Sequence, residues 1–479
     1  MFILMVVVFV LGYVAIALEH PLKVDKAASA LVLGVLVWTV LILDVSGILS
    51  LGYSQAWEHF QNSSLFTDFI KNNPEASVVE QMKHFVIDNQ IVEHLGDIAE
   101  ILFFLLGAMT IVETVDQHEG FKIITDKITT TNKVKLLWIL SILTFFMSAL
   151  LDNLTTTIVM VALLRKLIED KKSRWFFASM IVIAANAGGA WSPIGDVTTI
   201  MLWIGKQITA ANIIAMVIIP SLFNMLFPLL IVSIYMKGNV QKPEVNEDEN
   251  NSFTSPFERK LMLIMGIGAL LFVPVFKTTT HLPPYMGMLF GLGVLWITTE
   301  VMHRNKSYED KRKLTIVGVL RKVDVPTIFF FLGILSAVAA LQVAGHLHLL
   351  AGFLDEHVHN IYGINTAIGI LSSIVDNVPL TAGAMGMYPV MTDAMVHASI
   401  EPAYMHHFVQ DGAFWELLAY AAGTGGSILI IGSAAGVAAM GLEKIDFIWY
   451  MKKISWLALV GYIGGILIYW LQELIIFKM

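Results

Sequence analysis

Stretches of about 17 to 25 apolar residues recur along the chain, the length that crosses a hydrocarbon layer of roughly 30 Å as a helix. Full-length spans are expected near 2–18, 27–47, 98–115, 174–203, 210–236, 258–276, 284–302, 325–344, 412–441 and 454–476. Two further stretches, 136–164 and 361–392, are long enough for two short helices each but carry a polar knot in the middle, Asp152-Asn153 and Asp376-Asn377. Only 14% of the 479 residues are charged and 56% are hydrophobic, whereas a soluble domain is roughly a quarter charged. The fold class that follows is an all-α polytopic membrane protein with lipid as its solvent.

The same composition excludes several functions. With no cysteine there is no disulfide, thiol catalysis or Cys-ligated metal. The net charge is −8, yet there is no run of five or six like charges, so a nucleic-acid partner has no support. No Ser/His/Asp order, His-Glu-x-x-His pair or phosphate loop is present, so neither an enzyme nor a cofactor is expected. Residues 2–18 lack a basic flank and a small-residue cleavage site, and read as a retained first span.

Residues 237–257 turn polar, with a proline near each end, and read as a flexible linker between repeats at 1–236 and 258–479. Across it, ILFFLLGAMT (101–110) matches IFFFLGILS (328–336), DNLTTT (152–157) matches DNVPLT (376–381), and NAGGAWSPIGD (186–196) matches GTGGSILIIGS (423–433). The order is kept at offsets of 226, 224 and 237 residues, which points to duplication.

Loops rich in Lys and Arg stay cytoplasmic. Placing 19–26, 116–135, 165–174, 237–260, 303–322 and 443–453 inside collects 25 of the 30 basic residues. The stretch 136–164 then has basic flanks on both sides and enters and leaves from the cytoplasm, while 361–392, with none, enters from outside. Each repeat so holds five spans and one re-entrant hairpin, and the odd count inverts the second repeat relative to the first. Both termini are expected outside.

Backbone in hydrocarbon must be hydrogen-bonded, so a broken helix survives only where protein or a water-filled cavity satisfies it. Four such breaks are expected: the two hairpin tips and the Gly-rich interruptions at 186–199 and 423–433. Their glycines and Pro193 release carbonyls, and their Asn, Ser and Thr add neutral oxygens, a donor set suited to a small hard cation. Asp152, Asp196 and Asp376 fall at mid-membrane depth, where an ionised carboxylate costs roughly 2.5 to 3.5 kcal/mol. No Lys or Arg lies near them in the sequence. A carboxylate so placed is stabilised by a proton or by a cation, and the two exclude each other, which is the chemistry of cation/proton exchange. Asp196 corresponds to Ser433 in the other repeat, so Asp152 and Asp196 are the expected exchange pair and Asp376 a structural acid. Na+ is expected at Asp152, Asn153, Asn186 and Asp196.

Plainer readings stand beside these. Asp-Asn is a common helix cap, Gly188-Gly189 and Gly425-Gly426 suit close helix packing, and Trp191 suits packing. Glu93, Asp97 and Glu100 share a helical face, and Glu113 lies inside the same span. Glu100 and Glu113 are candidates for pH sensing or access.

The residues EHPLKVDKAASAL (19–31), DNLTTT, NAGGAWSPIGDVTT (186–199) and DNVPLTAGAMG (376–386) resemble the NhaD-type sodium/proton antiporters of the ion-transporter superfamily, over essentially the whole chain. The resemblance implies a bacterial inner-membrane protein that expels Na+ or Li+ in exchange for H+. It also implies a fold similar to the divalent anion/sodium symporters and a homodimer moving a transport domain against a scaffold. Where those symporters carry Ser-Asn-Thr at the tips, this chain has Asp-Asn at both, in keeping with a cation-only site. The family's polar transport residues fall on Asp152, Asn153, Thr157, Asn186, Asp196, Thr198, Thr199, Ser372, Asn377, Ser427 and Ser433. A sodium-coupled anion symporter or an arsenite-type oxyanion carrier on the same fold is the alternative.

Overall fold

The computed structural model describes residues 1–17, 19–125, 127–241, 254–304, 306, 311 and 313–476, and most of the expected linker falls outside them. The principal helices are α1 (Phe2–Ala17), α2 (Lys26–Leu43), α3 (Ile91–Gln117), α4 (Lys133–Leu151), α5 (Asn153–Leu167), α6 (Lys171–Ala190), α7 (Val197–Ile204) and α8 (Ala210–Tyr235). After these come α9 (Pro256–Thr280), α10 (Pro284–Met302), α11 (Val325–Val343), α12 (Ile361–Leu371), α13 (Asn377–Met387), α14 (Ala413–Gly425), α15 (Ala434–Glu443) and α16 (Ser455–Ile476). Among the described residues eight helices are long and apolar enough to cross a membrane, and the chain is a multi-pass membrane protein.

Helix starts follow local chemistry. Asp25, Asn132, Asp170 and Thr209 each turn a side-chain oxygen onto a backbone N–H of the first turn, satisfying donors that have no partner inside the helix. Ser255 and Glu258 form a reciprocal capping box at α9. The expected spans 174–203 and 412–441 each divide into two helices, α6 with α7 and α14 with α15, at the Gly-rich segments. At 16 residues α1 is shorter than the other candidate spans. The polar stretch 50–97 forms the short helices Gln55–Gln61, Ser64–Asn72 and Val78–His84, the last running through a wider turn at Phe85–Gln90 into α3.

The chain divides into two compact units, 1–102 with 324–364 and 378–390, and 103–323 with 365–377 and 391–479. Each draws on both sides of the polar segment. In the first unit α2 packs on α11 through two facing glycines. A methyl group on Gly34 would lie 2.7 Å from the Gly333 carbonyl oxygen, and one on Gly333 would run into the Ala30 backbone. Such close backbone approach is how helices associate where the surroundings are already apolar. One turn further on, the Trp38 indole N–H donates to Ser336 Oγ at 3.0 Å. In the second unit, His118 and His303 stack with Nε2 atoms 2.8 Å apart, and His118 Nδ1 donates to the Thr114 carbonyl at 2.7 Å.

Gly333→Ala is expected to force α2 and α11 apart, at about 1 to 3 kcal/mol for overpacking. Thermal unfolding in detergent should show a lowered Tm for it, while Gly96→Ala, which faces open space, should not lower Tm. Burial pushes His303 from 6.5 down to about 4, so the unfolded chain binds a proton there that the folded chain does not. The stability this contributes is present above 6.5 and is lost as pH falls from 6.5 towards 4. His303→Phe keeps the stacking and should make the fall of Tm over that window shallower.

Candidate functional site

The first hairpin turns on a single residue. α4 ends at Leu151 and α5 begins at Asn153, leaving Asp152 alone between them at φ 77°, in the left-handed region. That conformation is costly for a residue with a Cβ, and the side chain supplies the compensation. Its Oδ1 accepts from Thr155 N and its Oδ2 from Thr155 Oγ1, both at 2.8 Å. Asp152 therefore caps α5 with both carboxylate oxygens.

The break between α6 and α7 is shaped by close approach. A methyl group on Gly188 would collide with the Phe145 carbonyl of α4, so the end of α6 lies directly against the hairpin. The chain then runs through Trp191-Ser192-Pro193-Ile194-Gly195, with Ser192 Oγ donating to the Ala149 carbonyl at 2.5 Å, and Asp196 starts α7. Asp196 Oδ1 accepts from Thr198 N at 3.0 Å and from Thr198 Oγ1 at 3.1 Å, while Thr199 Oγ1 donates to the Asp196 carbonyl. In the other half Gly425 abuts the Gly369 carbonyl, and Ser433 Oγ accepts from Gly436 N at the start of α15.

These ends converge on Asp196, which is 1% exposed. Asn153 Nδ2 donates to its Oδ2 at 2.7 Å, and Asn377 Nδ2 lies 3.3 Å from both oxygens. Asn153 Nδ2 also reaches Asn186 Oδ1 at 3.1 Å, and Asn186 Nδ2 donates to Ser427 Oγ and Ser433 Oγ, both at 2.9 Å. The two hairpin tips and both breaks are thus joined in one buried network within the second unit. Every donor to Asp196 is neutral, and no Lys or Arg pairs with it among the described residues. A buried carboxylate with neutral donors only is a site for a proton or a small cation. The donors that would grip an anion are already spent on Asp196.

The other sequence candidates sit as follows. Asp152 and Asp376 lie near enough to Asp196 for their charges to interact, but Asp152's oxygens accept from Thr155 and, among the described residues, make no hydrogen bond to the Asn153–Asn186–Asp196 cluster. Thr157 is fully buried, and its hydroxyl has no hydrogen-bond partner among the described residues; neighbouring Thr156, which the sequence did not single out, is alike. Ser372 Oγ donates to the Ala422 carbonyl at 2.8 Å, a packing contact behind the tip. Glu100 belongs to the first unit, and Glu113 Oε1 accepts from Gln117 Nε2 at 2.7 Å on the same helix. Trp191 stacks on Phe145 at 5.9 Å, as its packing reading expects.

Ser148 went unrecognised in the sequence. Its Oγ donates to the Ala185 carbonyl at 2.6 Å, the counterpart of Ser372 on Ala422. The signal was a Ser-x-x-x-Asp-Asn pattern present at both tips, Ser148 before Asp152 and Ser372 before Asp376.

Comparison with known proteins places this chain among transporters. Residues 3–406 match the family model described as a citrate transporter, CitMHS. The chain is 42% identical over 465 residues to "Sodium/proton antiporter 1" of Arabidopsis thaliana, covering 97% of this chain and 71% of that protein. It is 40% identical over 473 residues to "Sodium/proton antiporter 2" of the same plant, covering 97% and 98%. It is 29% identical over 491 residues to "Na(+)/H(+) antiporter NhaD" of Vibrio cholerae serotype O1, covering 96% and 90%.

Asn186→Ala removes the partner of three side chains and is expected to cost about 1 to 3 kcal/mol. Thr157→Val replaces a hydroxyl without a hydrogen-bond partner among the described residues by a methyl group of the same shape and is expected to be near neutral or stabilising. Thermal unfolding of both variants in detergent measures the contrast.

Proposed function

This chain belongs to the NhaD-type sodium/proton antiporters, and we propose that it exchanges Na+ or Li+ for H+ at Asp196 by alternating access. The protein is a transporter and not an enzyme. The observation that carries the reading is Asp196 itself, buried and held by neutral amide and hydroxyl donors without a basic partner.

Those donors explain how one site takes either ion. Asn153 and Asn377 point Nδ2 at Asp196 and so stabilise the bare carboxylate. A side-chain amide turned half a revolution presents Oδ1 in the same place. An oxygen there repels the carboxylate unless a proton or a cation lies between them. A proton on Asp196 donates to the turned Asn377, since Asn153 is also held by Asn186 Oδ1, and Na+ is coordinated by carboxylate and amide oxygens together. Only one of the two fits. Below the pH at which the carboxyl is half protonated, each unit of acidification lowers the apparent Na+ affinity about tenfold. In this reading Asp152 is the second exchange carboxylate, Asp376 a structural acid, and Thr157, Thr198, Thr199, Ser427 and Ser433 supply neutral oxygens.

The paired contacts support an inverted duplication over 1–236 and 258–479 with re-entrant hairpins. Ser148 on Ala185 answers Ser372 on Ala422, and Asp196 capping α7 answers Ser433 capping α15. The basic loops then face the cytoplasm, both termini lie outside, and the transporter works as a homodimer. Relatives from a plant and from bacteria carry the name, and we place this chain in the bacterial inner membrane. A sodium-coupled anion carrier is the second reading, favoured by the family model's description as a citrate transporter.

Everted vesicles tested at alkaline pH should show a proton gradient that collapses on adding Na+ or Li+. Asp196→Asn should abolish the response and Asp152→Asn should reduce it at least tenfold, about 1.4 kcal/mol. Sodium-dependent uptake of labelled citrate that survives Asp152→Asn would favour the anion carrier instead.

A further inference from the structure

We propose that Glu416 is a further proton-binding carboxyl of this transporter, distinct from Asp152 and Asp196 and loaded through the Tyr469 hydroxyl. The proposal rests on the exchange reading above and adds a site to it.

Glu416 sits in the first turn of α14 and is 3% exposed. Tyr469 OH of α16 donates to its Oε2 at 2.6 Å, and Asn212 Nδ2 of α8 donates to its Oε1. Both donors are neutral. Of the other titratable groups around it, Asp411 is occupied with Thr209 N and Oγ1, and Glu473, one turn beyond Tyr469 on α16, has His407 Nδ1 4.0 Å away. No Lys or Arg pairs with Glu416 among the described residues.

The same unit shows what a structural buried acid looks like. Glu443, 4% exposed, takes Arg165 Nε at 2.7 Å and Arg174 Nε at 2.9 Å, one guanidinium on each oxygen. Glu416 is equally buried and has no such partner, so its charge is carried only while it lacks a proton. The repeat sharpens the contrast. The offset of 237 that pairs Asp196 with Ser433 pairs Glu416 with Ser179, whose hydroxyl bonds only to the Trp175 carbonyl of its own helix. Each broken helix thus carries one acid without a basic partner, at a position where its counterpart has serine.

Glu416 cannot share a ligand with Asp196, because about 14 Å of α14 separates it from the break at Gly425. Its charge is still felt there: at an effective dielectric near 20, two unit charges that far apart change each other's proton affinity about five- to tenfold. A proton reaches it by exchange at Tyr469. The hydroxyl gives its proton to Glu416 Oε2 while its oxygen takes one from Glu473, the acid one turn on along the same face of α16, so one proton moves and the tyrosine stays neutral.

The test uses the full-length protein in proteoliposomes, with radiolabelled sodium flux and proton flux measured at clamped potential. Glu416→Gln should still bind sodium at alkaline pH but exchange fewer protons per sodium than wild type. Tyr469→Phe should keep the wild-type ratio and exchange about tenfold more slowly or worse, as loss of a proton-transfer group does. A Glu416→Gln protein with wild-type ratio and pH profile overturns the proposal. If that variant does not fold, infrared titration of the Asp152→Asn/Asp196→Asn double variant decides: a titrating protonated-carboxyl band that shifts when Glu416→Asp is added supports Glu416, and a spectrum unchanged by that substitution overturns it. A wild-type protein without sodium-driven proton flux strikes down the exchange reading instead, and the infrared band still answers for Glu416.

Discussion

The side-chain amide of Asn186 commits both of its N–H groups and its oxygen: Nδ2 donates to Ser427 and Ser433, and Oδ1 accepts from Asn153. In water each of these bonds would be worth little net. In a buried, apolar setting an unmade one costs roughly 1 to 3 kcal/mol, so the arrangement of four helix ends around Asn186 is strongly specified. Asn153 passes the same constraint on to Asp196. The break in α6, the turn of the hairpin and the second-half serines are placed by the need to keep one buried polar group satisfied.

Backbone shape is what lets those ends meet. Gly188 against Phe145 and Gly425 against Gly369 are approaches that no side chain would permit. They press the C-terminal part of each broken helix against the C-terminal half of the helix that leads into a hairpin tip. A site built from opposed helix ends can stabilise charge of either sign with small side-chain rotations. Asp196 is the acidic group in it, which is why the proposed cargo is a cation.

Much of this was legible in the sequence because the chemistry was out of place: Asp-Asn inside an apolar block has few explanations. The same rule brought Asn153, Asn186, Asp196, Asn377, Ser427 and Ser433 forward together, and the structure gathers them in one network. What did not come through was partnership. A sequence shows Asp152 and Asp196 as equals, but which partners a carboxylate finds depends on the turn it sits in, and Asp152 accepts from Thr155. Glu416 was passed over because a single acid near the start of an apolar block reads as a solvated helix end. Its burial depends on Asn212 and Tyr469, some 204 and 53 positions away.

The turn at Asp152 has a mechanical side. The two oxygens that would receive a proton are the same two that hold the first turn of α5 in place. Protonation would cost one of them its role as an acceptor and weaken the start of that helix. If Asp152 takes a proton in the proposed exchange, the bond from Thr155 Oγ1 to Oδ2 would have to rearrange, so a chemical event at this residue would be felt at the first turn of the helix that follows it.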